Sequence, residues 1–166
     1  MRQEPHARRQ GEKPDIGAET GEIHLSSLSE LRRQGYRRIV DFGHTFSPAL
    51  EAASDFALPH GFAVSVDMAL SAALALERGT LAERHFTRIV ACLGTARLPV
   101  WDERLSLDLC HKALLDTEAH RGGDVNLVVP AAIGSAEFIA ARDDIDPVLL
   151  ARSLDRIRAV SAQQAA

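Results

Sequence analysis

The sequence predicts a mainly α-helical domain with one small β-hairpin. Aromatic residues are only 5% of the 166 residues while Ala and Leu abound, which favours helices packed through small and aliphatic side chains over a β-sandwich. Apolar residues recur at helical spacing in stretch after stretch between residues 46 and 160. Only Val125–Pro130 and Ala136–Ile139, on either side of Gly134, have the short apolar character of paired strands.

Residues 1–22 are rich in Arg, Glu and Gly without a periodic apolar face, and predict a disordered tail. The helical domain is expected over residues 23–160. It opens with a short helix capped within Ser26–Glu30 and ending near Gln34-Gly35. Tyr36–Val40 leads into Asp41-Phe42-Gly43-His44-Thr45-Phe46-Ser47-Pro48-Ala49-Leu50-Glu51. Phe46, Leu50 and Ala53 lie at near-helical spacing, and Pro48 is compatible only with the first turn, so a short helix starts between Gly43 and Ser47 and ends near Ser54. Gly43 permits a positive φ or a close backbone approach.

Phe62–Gly79 is nearly all apolar, the mark of a buried central helix. Asp67 breaks that pattern and either faces solvent or pairs with an arginine. Gly79 stops the helix, and Thr80 is the expected N-cap of the next, Leu81–Cys92. Leu105–Glu118 follows, with Leu107, Cys110, Leu114 and Leu115 inward. His120–Asp124 forms a turn before the hairpin. Asp146-Pro147 opens the last helix, whose buried stripe is Leu150, Leu154, Ile157 and Val160. Residues 161–166 are expected to fray.

Composition bounds function. A net charge of -4 gives no electrostatic basis for nucleic-acid binding. Ser65, Asp67 and Ser71 interrupt the longest apolar stretch, so no membrane span is expected. Cys92 and Cys110 are isolated and are expected to be reduced, packed thiols of a cytoplasmic protein. His85 and His111 are expected to be structural or exposed.

His44 and His60 each stand at a predicted helix start. The link Asp55–Pro59 has a reach of about 17 Å when extended, just enough to return His60 to the side of His44. The spacing fits either one metal site built from two neutral imidazoles or two unrelated surface or capping histidines.

The stretch Gly43-His44-Thr45-Phe46-Ser47-Pro48-Ala49-Leu50-Glu51, followed by Pro59-His60-Gly61, resembles the metal-binding segment of the sugar phosphate cyclases, the superfamily that includes 3-dehydroquinate synthase. That family carries Gly-His-Thr-x-Gly-His-x-x-Glu and then Leu-His-Gly. Dehydroquinate synthases have Asn where Asp41 stands and a second His where Pro48 stands. The Asp-Phe-Gly-His-Thr-Phe-Ser-Pro form is similar to the 2-epi-5-epi-valiolone synthase branch, which cyclises sedoheptulose 7-phosphate. The resemblance spans about residues 35–160 and implies the helical C-terminal domain of a dehydroquinate synthase-like fold.

It also implies roles. His44 and His60 would ligate a divalent metal, zinc or cobalt. Arg37 and Asp41 would act in catalysis and substrate binding, with Pro48 and Arg121 also against the substrate. Many members of the family have Glu where Phe62 stands, and a lysine where the stretch near Glu118 and Ala119 has none. No Gly-rich nucleotide loop follows a strand, so NAD would have to come with a missing domain. The family's third metal ligand is a glutamate that Glu19, Glu22 and Glu30 do not match. The expectation is half of a phosphate-eliminating lyase, inactive alone. Its partner would be an NAD-binding domain on a separate chain, in a homo- or hetero-oligomer. The alternatives are a non-catalytic remnant or regulatory helical module, and a dehydroquinate synthase fragment, against which Asp41 and Pro48 argue.

Overall fold

The computed structural model describes residues 39–165. The expected tail, the short helix after Ser26–Glu30 and Arg37 lie outside the described residues. A 3-10 turn at Ile39–Asp41 leads into five helices and one hairpin: α1 (Ser47–Ala53), α2 (His60–Glu77), α3 (Glu83–Thr95), α4 (Leu107–His120), β1 (Leu127–Ala132), β2 (Ser135–Ile139) and α5 (Pro147–Ala165). The architecture is mainly helical with a small hairpin, as the sequence predicts.

Helix α2 is the centre, packing against α1, α3, α5 and β1. From Ala69 to Ala75 every residue is buried, and four of the seven are alanines that let neighbouring helices approach closely. Phe46 and Leu50 of the α1 segment and Phe86, Val90 and Leu93 of α3 close the core around it. Cys110, Ala113 and Leu114 of α4 and Leu150, Leu154 and Ile157 of α5 complete the shell. The strands pair antiparallel, Leu127 opposite Ile139, with an irregularity between Pro130 and Ala132 and Gly134 at φ +82° in the turn. Among the described residues, no helix is long and apolar enough to cross a membrane.

Several local expectations need correction. Thr80 does not cap α3: its hydroxyl donates to the Ala75 carbonyl at 3.1 Å, which closes α2, and α3 starts only at Glu83. Helix α4 begins after Ser106, whose hydroxyl accepts the Leu109 N–H, so Leu107 and Leu115 fall on the exposed face and Ala113 turns inward. Cys92 is exposed because the buried face of α3 runs through Phe86, Val90 and Leu93. The last helix continues past Ser161 to Ala165, and the Gln164 amide donates to the Val90 carbonyl at 3.3 Å.

The C-terminal end of α2 is tied to α5 by charge. Glu77, with only 10% of its side chain exposed, pairs with Arg152 at 2.7 Å and Arg156 at 3.1 Å. The hydrogen bond from Arg152, helped by Arg156, holds its carboxyl below the ordinary glutamate value of 4.5. A depressed folded-state value stabilises above the unfolded value, and that contribution disappears as pH falls through the folded one. Urea unfolding between pH 3 and 7 should therefore show stability declining below about pH 4.5, and Glu77→Gln should make the decline shallower while lowering stability at pH 7. An unchanged pH profile would remove this clamp from the account.

Candidate metal centre

Both predicted ligands stand at helix entrances. Gly43 turns the chain at φ +81°, and an added Cβ there would lie 2.7 Å from the Met68 Cγ. Only glycine fits both constraints, so the His44 loop lies directly on α2. His60 is the first residue of α2, after Pro59. Between them, Asp55 and Phe56 adopt φ +50° and +60°, which turns the chain sharply after α1.

The two imidazoles come together, with ring centroids 5.5 Å apart and planes tilted by 56°. Their protons are assigned by their partners. His44 Nδ1 lies 3.2 Å from the Phe42 carbonyl oxygen, which can only accept, so Nδ1 carries the proton. His60 Nδ1 lies 2.8 Å from Glu51 Oε1 and donates to that carboxylate. In its neutral form each ring would then offer Nε2 to a metal, the arrangement found in metal-ligating histidines whose other nitrogen is held by a carbonyl or carboxylate. The residues present fit a zinc-like ion in part. Zn–N bonds of about 2.0–2.1 Å place each ring centroid about 3.2 Å from a shared ion, so a tetrahedral angle would separate the centroids by about 5.2 Å. The observed spacing is close to that value. No cluster of three or more His, Cys, Asp or Glu able to hold a metal occurs among the described residues. Among the described residues two candidate ligands are therefore brought together, with no third beside them.

Beside the histidines lies a charged pair. Asp41 Oδ2 accepts from the Arg121 guanidinium at 3.3 Å, and Arg121 also donates to the carbonyls of Val125 and Asn126. The His44 N–H donates to the Asp41 carbonyl at 2.9 Å, so Asp41 and His44 share one loop. Pro48 is exposed at the second position of α1, where a missing N–H costs nothing. Arg37 lies outside the described residues.

Two further residues, neither among the candidate site residues, belong to this region. Glu51 sits inside the quoted motif, but only the folded return of the chain reveals that it faces His60. Asp67 neither faces solvent nor pairs with an arginine. It is 1% exposed, and its Oδ2 accepts the backbone N–H groups of Thr45, Phe46 and Ser47 at 2.8, 2.5 and 2.8 Å. Ser71 donates to its Oδ1 at 3.2 Å. Burial pushes the Asp67 carboxyl above its ordinary value, against the pull of these four donors. A lone carboxylate in an otherwise apolar helix was the available signal.

The family model for the 3-dehydroquinate synthase C-terminal domain matches residues 23–118. The chain belongs to this family. It is 41% identical over 128 residues to a 2-epi-5-epi-valiolone synthase of Streptomyces glaucescens, covering 76% of this chain and 33% of that one. A 3-dehydroquinate synthase of Thermoanaerobacter sp. is 33% identical over 121 residues, 72% of this chain and 34% of its own length. The solved 2-epi-5-epi-valiolone synthase from Streptomyces hygroscopicus subsp. jinggangensis 5008, with NAD+ and Zn2+ bound, superposes with a TM-score of 0.71 at 36% identity over 84% of this chain and 39% of that one. Its identity is higher to the valiolone synthase than to the dehydroquinate synthase, and it spans about a third of the length of the curated relatives it matches.

Proposed function

We propose that the chain is the metal- and substrate-binding half of a sugar phosphate cyclase of the valiolone type. It would act on sedoheptulose 7-phosphate together with an NAD-binding domain from beyond these residues. One observation carries the reading: two imidazoles, each with Nδ1 beside an acceptor, have ring centroids 5.5 Å apart, close to the separation that one shared ion would impose. The Zn2+ and NAD+ bound in the solved Streptomyces hygroscopicus relative support the choice of both groups. When bound, the metal would supply Lewis-acid polarisation of a substrate hydroxyl, and NAD would supply a reversible hydride acceptor for a redox-neutral cyclisation.

The chain's own residues do the rest. His44 and His60 hold the ion, with zinc or cobalt both suited to imidazole nitrogen. Glu51 keeps His60 in the tautomer that presents Nε2. Asp41 accepts hydrogen bonds from substrate hydroxyls, oriented by Arg121, whose remaining donors bind the anionic end of the substrate. Pro48 presents an apolar wall with no ring nitrogen to move a proton. The NAD-binding domain contributes the third ligand and covers the cleft.

The test assays sedoheptulose 7-phosphate, NAD and zinc or cobalt with this chain alone and with an NAD-binding domain of the family. The expected result is weak metal binding and no turnover alone, with both restored by the added domain. Turnover by the chain alone would contradict the half-enzyme reading. A tightly formed pair that binds metal and remains inactive would favour the regulatory module.

A further inference from the structure

We propose that Asp67 is the positioning residue of the metal centre, making α2 the element that sets the distance between His44 and His60; this rests on the metal reading above. Helix α2 carries His60 as its first residue. Asp67 lies seven residues further on, about 10 Å along the axis at 1.5 Å per residue. There its Oδ2 gathers the N–H groups of Thr45, Phe46 and Ser47, the three residues that follow His44. On the other side of His44, the Ser47 hydroxyl donates to the Gly43 carbonyl at 2.8 Å, and Gly43 itself rests on Val64 and Met68 of α2. One rigid helix therefore bears one imidazole and grips the backbone of the other. Without Asp67, three buried N–H groups would lose their acceptor, and a segment with unsatisfied donors rearranges toward water. His44 would move with it.

The grip needs an acceptor oxygen and not a charge. A carboxyl protonated on Oδ1, toward Ser71, still offers Oδ2 to the three amides. Asn at this position can place its carbonyl oxygen there and its NH2 toward the Ser71 hydroxyl, whereas Ala cannot accept at all. This distinction separates positioning from bulk stability.

The experiment titrates the full chain with zinc, follows the His44 and His60 imidazole signals by NMR, and compares wild type, Asp67→Ala, Asp67→Asn and His44→Ala. Loss of an outer partner of a metal ligand costs roughly 10–100-fold in affinity, and that loss is expected for Asp67→Ala. Asp67→Asn is expected to stay within about threefold of wild type, a rescue governed by acceptor geometry. A folded Asp67→Ala chain with wild-type zinc affinity would overturn the proposal. So would equal losses in the Ala and Asn variants. If Asp67→Ala does not fold, amide hydrogen exchange of the wild-type chain decides: Thr45, Phe46 and Ser47 must be strongly protected, and exchange at the rate of exposed loop amides would refute the grip. Zinc affinity unchanged in His44→Ala contradicts the metal reading itself, a result distinct from failure of Asp67.

Discussion

His60→Ala, in the chain joined by an NAD-binding domain, is expected to abolish turnover of sedoheptulose 7-phosphate while leaving the fold nearly unchanged. The two halves of this expectation have separate causes. The His60 side chain is 63% exposed, so its removal opens no cavity, and exposed substitutions usually stay within about 0.5 kcal/mol. In the proposed centre its Nε2 is one of two candidate ligands among the described residues, and losing it would leave His44 alone on this side of the ion. The loss of activity should exceed the roughly 100-fold that removing an outer hydrogen-bond partner of a ligand costs. Glu51→Ala provides that comparison, because it removes only the acceptor at His60 Nδ1. Steady-state rates with thermal unfolding on the same samples check both parts. Undiminished activity of the His60→Ala pair would remove the metal assignment.

Gly43→Ala is expected to have the largest effect on stability of any single methyl addition in the site. A non-glycine residue in the left-handed region costs about 1–2 kcal/mol. The new Cβ would also lie 2.7 Å from Met68 Cγ and 3.0 Å from the Val64 carbonyl, on a backbone that cannot yield locally. Overpacking of this kind costs about 1–3 kcal/mol, so the total is about 2–5 kcal/mol. The same shift would lift the His44 loop from α2, so zinc affinity should fall along with the urea midpoint. A variant of wild-type stability would show that the loop does not rest on α2 as described.

Legibility of this chain differs by kind of signal. Helices with strong apolar period and a punctuating residue were readable: Pro48 in the first turn of α1, Gly79 after α2, and Asp146, whose carboxylate accepts the Leu149 N–H at the start of α5. Two starts slipped by two residues: the one at Glu83 because Thr80 closes α2 instead of capping α3, and the one at Leu107 because the cap, Ser106, lies inside the stretch read as helix. The site was readable where it follows chain order, as with Gly43, His44 and His60. It was not readable where it depends on the return of the chain. Glu51 meets His60 only after the Asp55-Phe56 turn, and Asp67 meets residues 45–47 only because α2 packs beneath the loop. Arg121 meets Asp41 across 80 positions, and no local pattern announces such a pair.

The central claim is that His44 and His60 share one ion. Anomalous diffraction at the zinc edge, from crystals of the chain paired with an NAD-binding domain, tests it most directly. A single strong peak is expected within about 2.0–2.1 Å of Nε2 of both histidines, with a third ligand from outside these residues. A peak bound by only one of the two rings, or by neither, would contradict it.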